Sequence, residues 1–104
     1  MKILENLIEK MDDTLEEIEF YGEKAHHFRT EHKALADTYI KVADMHIDIY
    51  TMLHDRVVEL INEEKRKGVT PPPEMLAIWE YEHSKLISEF NEAKFLVDDY
   101  KKSY

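Results

Sequence analysis

The sequence contains no cysteine, only two glycines and three prolines, and far fewer basic than acidic residues. Without cysteine, disulfide frameworks, thiolate metal sites and cysteine nucleophiles are excluded. So few glycines and prolines also exclude sandwiches, barrels and phosphate-binding glycine loops, because these need many turns. No apolar run approaches the roughly 18 residues of a membrane span, and acids interrupt the N-terminal segment where a signal peptide needs apolar residues. We therefore expect a cytoplasmic protein with no membrane partner.

Charge limits the partners that the chain can have. Its 23 acidic and 14 basic residues give a formal net charge of −9 with histidine neutral. This charge repels a phosphate backbone, and no stripe of lysine and arginine makes a local exception, so we expect no nucleic-acid binding. The hydrophobic fraction of 43% is enough for a packed core. The length of 104 residues predicts a single helical domain over residues 1–104.

The first part of the chain repeats apolar residues at steps of four and three, which is the spacing of one helix face. These residues are Leu4, Ile8, Met11, Leu15 and Ile18, and the same rhythm reaches Gly22. We predict a helix over residues 2–29, in which Gly22 allows a close helix crossing. Asp13 or Thr14 could instead cap a second helix. One continuous helix is the favoured interpretation, because the apolar face runs straight through that point.

The second predicted helix, residues 33–67, carries two neighbouring apolar stripes. The first contains Leu35, Tyr39, Val42, His46, Ile49, Leu53, Val57 and Leu60. The second contains Ala36, Ile40, Ala43, Ile47, Tyr50, His54 and Ile61. Such a wide apolar arc exceeds what two helices of the same chain can cover. We therefore expect the chain to associate with itself as a homodimer or higher oligomer.

Gly68 indicates the end of the second helix, because it follows the basic run 65–67 that suits a helix C-terminus. The prolines at 71–73 predict a stiff connector, and Pro73 suits the start of a third helix over residues 73–102. Its apolar face contains Leu76, Trp79, His83, Leu86, Phe90, Ala93, Val97 and Tyr100. Because the connectors are short, neighbouring helices run antiparallel. The sequence thus predicts an all-α, up-down-up three-helix bundle.

The side chains that could carry chemistry are histidines and one glutamate. The chain has six histidines, and three of them (His46, His54 and His83) lie on or beside the apolar faces. In an antiparallel pair of the second and third helices, His54 lies about one turn from His83. Glu80 precedes His83 by three residues, so both side chains can point toward one place. Glu80, His83, His54 and His46 are therefore the candidate metal ligands.

The segment from Leu35 to Ile61 resembles a helix of the ferritin-like proteins. The residues that carry this resemblance are Ala43, Tyr50 and Leu53 on a long amphipathic helix. The resemblance implies a metal-binding bundle with iron or another divalent metal as cofactor, in which two helices each supply a Glu-x-x-His pair. On the second and third predicted helices, only Glu80-Tyr81-Glu82-His83 has that spacing, and Thr51-Met52-Leu53-His54 has threonine in place of the acid. We therefore expect no cofactor and no tight di-iron site, with metal binding as the alternative.

Each histidine also has a purely structural interpretation. At the centre of an apolar stripe, His46 is expected to be a neutral core imidazole with one hydrogen-bond partner. The same interpretation applies to His54 and His83 at the edge of the interior. The residues around the first interhelical turn are expected to be exposed: His26, His27 and His32.

A row of aspartates on the second helix is expected to be its solvated face, and consists of Asp37, Asp44, Asp48 and Asp55. The alternative is a surface for a basic protein partner. The first helix adds eight more acids between residues 5 and 23: Glu5, Glu9, Asp12, Asp13, Glu16, Glu17, Glu19 and Glu23.

Three stretches, residues 35–39, 53–58 and 78–83, resemble small acidic helical proteins of unknown function encoded by phages and prophages of Gram-positive bacteria. This resemblance contains no motif of known mechanism and implies no catalytic residue. No serine lies in a strained nucleophile turn either. We therefore expect a non-enzymatic structural or interaction protein. The alternatives are a ferritin-like metal-binding bundle and an acidic regulator of a basic protein.

Overall fold

The computed structural model describes residues 2–68 and 73–103, without the side chains of 73–78, 81 and 82. In these ranges the chain forms three helices and no strand: α1 (Lys2–Phe28), α2 (Lys33–Arg66) and α3 (Pro73–Ser103). The all-α class is thus confirmed. The observed bounds differ by one residue from the predicted ends at 29, 67 and 102. The predicted connector at 69–72 and the side chain of Leu76 lie outside the described residues.

Helix α1 is continuous through Asp13, Thr14 and Gly22, as the unbroken apolar face indicated. The Thr14 hydroxyl donates a hydrogen bond to the Lys10 carbonyl at 2.7 Å. The Thr14 hydroxyl therefore has its hydrogen-bond partner one turn earlier in α1 and does not cap the start of a second helix. The buried apolar residues of α1 are Leu4, Met11, Leu15, Ile18 and Ala25.

Helix α2 buries five members of its second predicted stripe together with Val57 of the first, and we call these six residues the inner stripe: Ala36, Ile40, Ala43, Tyr50, Val57 and Ile61. Two members of the first stripe, Leu35 and Ile49, are 39% and 44% exposed. The first stripe is therefore not the centre of the core. The fully buried Ala36 and Ala43 give one physical reason, since small side chains allow another helix to approach closely.

Two glycines have positions that explain their residue type. A Cβ on Gly22 would lie 3.1 Å from Leu96 Cδ2 of α3, so the missing side chain allows a close crossing of α1 and α3. Gly68 has a φ of 75°, a left-handed conformation that ends α2 without steric cost. Its N–H donates to the Lys65 carbonyl at 3.2 Å.

Aromatic and polar pairs show which parts of the helices meet. Residues of the second half of α1 contact the first half of α2, where the Tyr21 and Tyr39 rings are 5.6 Å apart. Near the end of α3, the Tyr100 hydroxyl donates to Asp37 at 2.8 Å. The backbones of α1 and α2 approach each other most extensively, and those of α2 and α3 least. The molecule measures 56 × 21 × 18 Å.

The helices can also be compared with membrane-spanning segments. Among the described residues, no helix combines the length and the apolar character needed to cross a bilayer.

Candidate functional site

The candidate site is a pair of histidines that joins α2 to α3. The Nε2 atoms of His54 and His83 lie 3.0 Å apart, and both residues are half-buried. On α3, the Trp79 ring stacks on His83 with centroids 4.6 Å apart and planes 22° apart. Trp79 lies one turn before His83, so helical spacing places the indole beside the imidazole. The sequence predicted the proximity of the two histidines, and the structure brings them into direct contact.

The contact with Asp55 favours a proton on Nδ1 of His54. The carboxylate oxygen Oδ1 of Asp55 lies 3.4 Å from Nδ1 of His54. A carboxylate accepts, so Nδ1–H of His54 donates and Nε2 of the neutral ring keeps its lone pair. Nε2–H of His83 then donates to Nε2 of His54. Burial, and next the neighbouring His54, lower the pKa of His83, which favours the neutral ring that this arrangement needs.

The four candidate metal ligands do not come together in one place. Glu80 is exposed, and His46 lies beside α1, in a different part of the bundle. Only His54 and His83 meet. Across the described parts of the chain, no group of three or more histidine, aspartate and glutamate side chains has the arrangement of a metal site.

His46 is half-buried and is not the core residue that its stripe predicted. Its Nδ1–H donates to the Val42 carbonyl at 2.9 Å, and its ring lies 5.7 Å from that of Tyr21. Together with Lys10, Asp13, Glu17 and others, it lines an open surface cavity of about 390 Å³ between α1 and α2. The difference arises because the inner stripe faces the core, and His46 is not one of its members.

His26 also differs from its prediction, because it is half-buried instead of exposed. Its Nε2–H donates to the Leu96 carbonyl at 3.0 Å and so links α1 to α3. His27 and His32 are exposed, as predicted.

A second cavity lies beside the histidine pair. It has a volume of about 230 Å³ and is lined by Tyr50, Thr51, His54, Ile87, Phe90 and Asn91. The rings of Tyr50 and Phe90 stack at 4.3 Å with planes only 7° apart. The buried Tyr50 hydroxyl has no hydrogen-bond partner within the described part of the chain. Burial, followed by the charges of Glu89 and Asp12, raises the pKa of Tyr50 to about 12.

Comparison with known proteins adds no assignment. No family model, curated protein or solved structure matches this chain.

A polar network between α2 and α3 was not predicted from the sequence. Asp37 accepts hydrogen bonds from Lys33 and from Tyr100, and the Lys33 contact measures 2.8 Å. Lys33 and next Tyr100 lower the pKa of Asp37. Asp44 accepts a hydrogen bond from Lys101 at 2.7 Å. The first two residues of the aspartate row therefore hold α3 in place, which the opposite charge of Lys101 near the C-terminus could have indicated.

The sequence pattern also did not indicate that acids of α1 meet acids of α3. They surround a cavity of about 370 Å³ lined by Asp12, Leu15, Glu16, Glu19, Lys85, Glu89 and Glu92. Burial, followed by repulsion from Glu89 and other acids, raises the pKa of Glu19. Only one cation, Lys85, lines this cavity among the residues described.

Proposed function

We propose that this chain is a non-enzymatic interaction protein, an up-down-up three-helix bundle that acts as a homodimer. The observation that carries the proposal is a stripe on α2, called here the outer stripe, that consists of four exposed apolar residues, the half-buried Val42 and the exposed Thr38: Leu35, Thr38, Val42, Met45, Ile49 and Met52. A cytoplasmic location and a phage origin, both expected from the sequence, stay predictions.

The up-down-up arrangement is supported by contacts between distant parts of the chain. Asp37, early in α2, contacts Tyr100 near the end of α3. His54, later in α2, contacts His83 earlier in α3. These two contacts support an antiparallel arrangement of α2 and α3.

The outer stripe has the residue spacing of a helix–helix interface. Its members follow one another at alternating steps of three and four, which is the heptad spacing of a coiled-coil face. Met45 and Met52 are 63% and 70% exposed, and Leu35 and Ile49 are 39% and 44% exposed. A continuous apolar face of this kind usually marks a contact with another protein.

Helix α1 extends the same apolar surface. Tyr21 lies beside Tyr39 and His46, so the adjacent Phe20 is level with the middle of the outer stripe. Phe20 is 49% exposed. Ile49 and Glu17 line one cavity between the two helices, which shows that the outer stripe adjoins this side of α1. The surface is therefore broader than a single helix.

A second copy of the chain is the partner that fits the charges beside the stripe. If two α2 helices pack antiparallel about a two-fold axis, Val42 faces Met45 of the second copy and Leu35 faces its Met52. In this register the exposed Lys41 lies beside the exposed Asp48 of the second copy. The two-fold axis repeats the pair, so two ion pairs flank the apolar seam.

Light scattering of the tag-free protein at micromolar concentration tests the proposal. We expect a mass of twice the 12.5 kDa chain. Met45→Glu should dissociate the dimer, because it places a carboxylate in the seam at a cost of several kcal/mol.

The matched control is Phe95→Glu, since Phe95 is 71% exposed but lies on α3. We expect this variant to remain dimeric. A wild-type mass of one chain at all concentrations would refute the proposal, as would a Met45→Glu variant that is folded by circular dichroism and still dimeric.

A second candidate function, regulation of a basic protein, is favoured by the acidic cavity between α1 and α3. Burial, followed by repulsion from Glu89 and other acids, raises the pKa of Glu19, and a cationic partner would relieve the repulsive part. Titration with poly-lysine, read by calorimetry, tests this candidate. The double variant Glu19→Gln, Glu89→Gln should bind more weakly than one that removes two acids elsewhere on α1, Glu5→Gln and Glu9→Gln. Equal binding by the two variants would reject it.

A further inference from the structure

We propose that His54 and His83 bind one divalent transition-metal ion of the zinc or copper type between their Nε2 atoms. The site links α2 to α3 and is separate from the outer stripe of the proposed dimer.

The distance between the two nitrogens suits such an ion. A tetrahedral zinc with Zn–N bonds of about 2.0–2.1 Å holds two imidazole nitrogens about 3.3–3.4 Å apart. The Nε2 atoms lie 3.0 Å apart. The two rings therefore need to separate by only a few tenths of an ångström to admit the ion.

Asp55 supplies the outer support that histidine ligands of metals usually have. Its carboxylate accepts from Nδ1–H of His54, which directs the Nε2 lone pair toward His83. On the other side of the site, Trp79 stacks on His83 and limits the rotation of its ring. In the tautomer that Asp55 favours, His54 presents the Nε2 lone pair that binds a metal.

Metal binding displaces one hydrogen bond and requires one proton to move. The Nε2 proton of His83 is released, and the ring is reprotonated at Nδ1, so both Nε2 lone pairs become free for the ion with no net loss of protons. Two protein ligands leave the remaining coordination positions to water or another small ligand. This makes the site weaker than a structural zinc site with four protein ligands.

The single tryptophan provides a direct readout, because Trp79 is the only one in the chain and its ring lies 4.6 Å from that of His83. Cu²⁺ added to tag-free protein should quench its fluorescence, and calorimetry with Zn²⁺ should give one ion per chain. His54→Ala and His83→Ala should each weaken binding of both ions by at least about tenfold. Asp55→Asn should weaken Zn²⁺ binding less, because it removes only the outer support.

The control variants are His27→Ala and His32→Ala, since these exposed histidines lie outside the pair. We expect both to bind like the wild type, and circular dichroism should show unchanged helix content in every variant. The proposal is wrong if the wild type binds neither ion, if His54→Ala and His83→Ala both retain full affinity, or if His27→Ala alone removes the binding.

Discussion

At the scale of single residues, the ring and the hydroxyl of Tyr50 have opposite effects on the stability of the fold. The ring is 2% exposed and stacks on Phe90, whereas the hydroxyl has no hydrogen-bond partner within the described residues. A buried polar group without a partner costs about 1–3 kcal/mol. Tyr50 therefore stabilises the core through its ring and destabilises it through its oxygen.

We predict that Tyr50→Phe raises the free energy of unfolding by about 1 kcal/mol at pH 7. The ring is retained and the unsatisfied hydroxyl is removed. Urea denaturation measures the change. Tyr100→Phe is the opposite control: it should be destabilising, because the Tyr100 hydroxyl donates to Asp37. Equal or lower stability of Tyr50→Phe would contradict the prediction.

The same residue should affect stability at alkaline pH. The pKa of Tyr50 is raised from 10.0 to about 12 in the folded chain, so the unfolded chain loses this proton first. The contribution of protonated Tyr50 to the free energy of unfolding is complete below pH 10 and is lost as the pH rises toward 12. The stability of the wild type should therefore fall more steeply than that of Tyr50→Phe between pH 10 and 12. Parallel curves would show that Tyr50 ionises equally in both states.

Sequence spacing placed His54 near His83 but could not determine their chemistry. The level of each residue follows from helix length and from the antiparallel connection, which are sequence properties. The tautomer of His54 depends on a 3.4 Å contact with its neighbour Asp55, and that depends on side-chain rotamers. The prediction that His46 lies in the core was wrong for a different reason, because spacing alone does not determine which face of α2 meets the core.

At the scale of helices, Gly22 sets the distance between α1 and α3. We predict that Gly22→Leu destabilises the fold by about 1–3 kcal/mol, because a large side chain cannot fit against Leu96 and Val97. Gly22→Ala should change stability by less than about 1 kcal/mol, since the gain in helix propensity offsets a small shift of Leu96. Thermal denaturation followed at 222 nm compares the two variants. Equal stability of Gly22→Leu and wild type would show that α3 does not pack closely there.

The sequence pattern of α2 does not determine which of its two apolar stripes faces the core. Both stripes have helical spacing, so the pattern predicted a helix with a wide apolar face but could not rank the stripes. Packing decides between them: Ala36 and Ala43 of the second stripe are fully buried, whereas Leu35 and Ile49 of the first are 39% and 44% exposed. The continuity of α1 was predicted, because an uninterrupted apolar face is itself a sequence property.

At the scale of the whole molecule, the register of the proposed dimer can be tested with charges. Lys41→Asp and Asp48→Lys should each weaken dimerisation about tenfold or more, because each replaces two ion pairs with two like-charge contacts. The double variant should recover the wild-type affinity. Sedimentation equilibrium measures all three.

Mixing the two single variants provides a stricter comparison. A chain with Lys41→Asp and a chain with Asp48→Lys carry complementary charges at both contacts, so they should pair with each other more tightly than with themselves. If the mixture dimerises no better than either variant alone, the antiparallel register is wrong, even if the outer stripe is the interface.

The three helices pack against one another to different extents, and we expect them to open in a corresponding order. Among the described residues, helices α1 and α2 adjoin in sequence and pack along the greatest extent of backbone, whereas α2 and α3 do so least. Local contacts form fastest, so the α1–α2 hairpin should fold as one cooperative unit, onto which α3 then docks. In hydrogen exchange, amides in the middle of α1 and α2 should exchange slowest, and those around His83 should exchange sooner. Uniform protection along all three helices would show instead that the chain opens only as a whole.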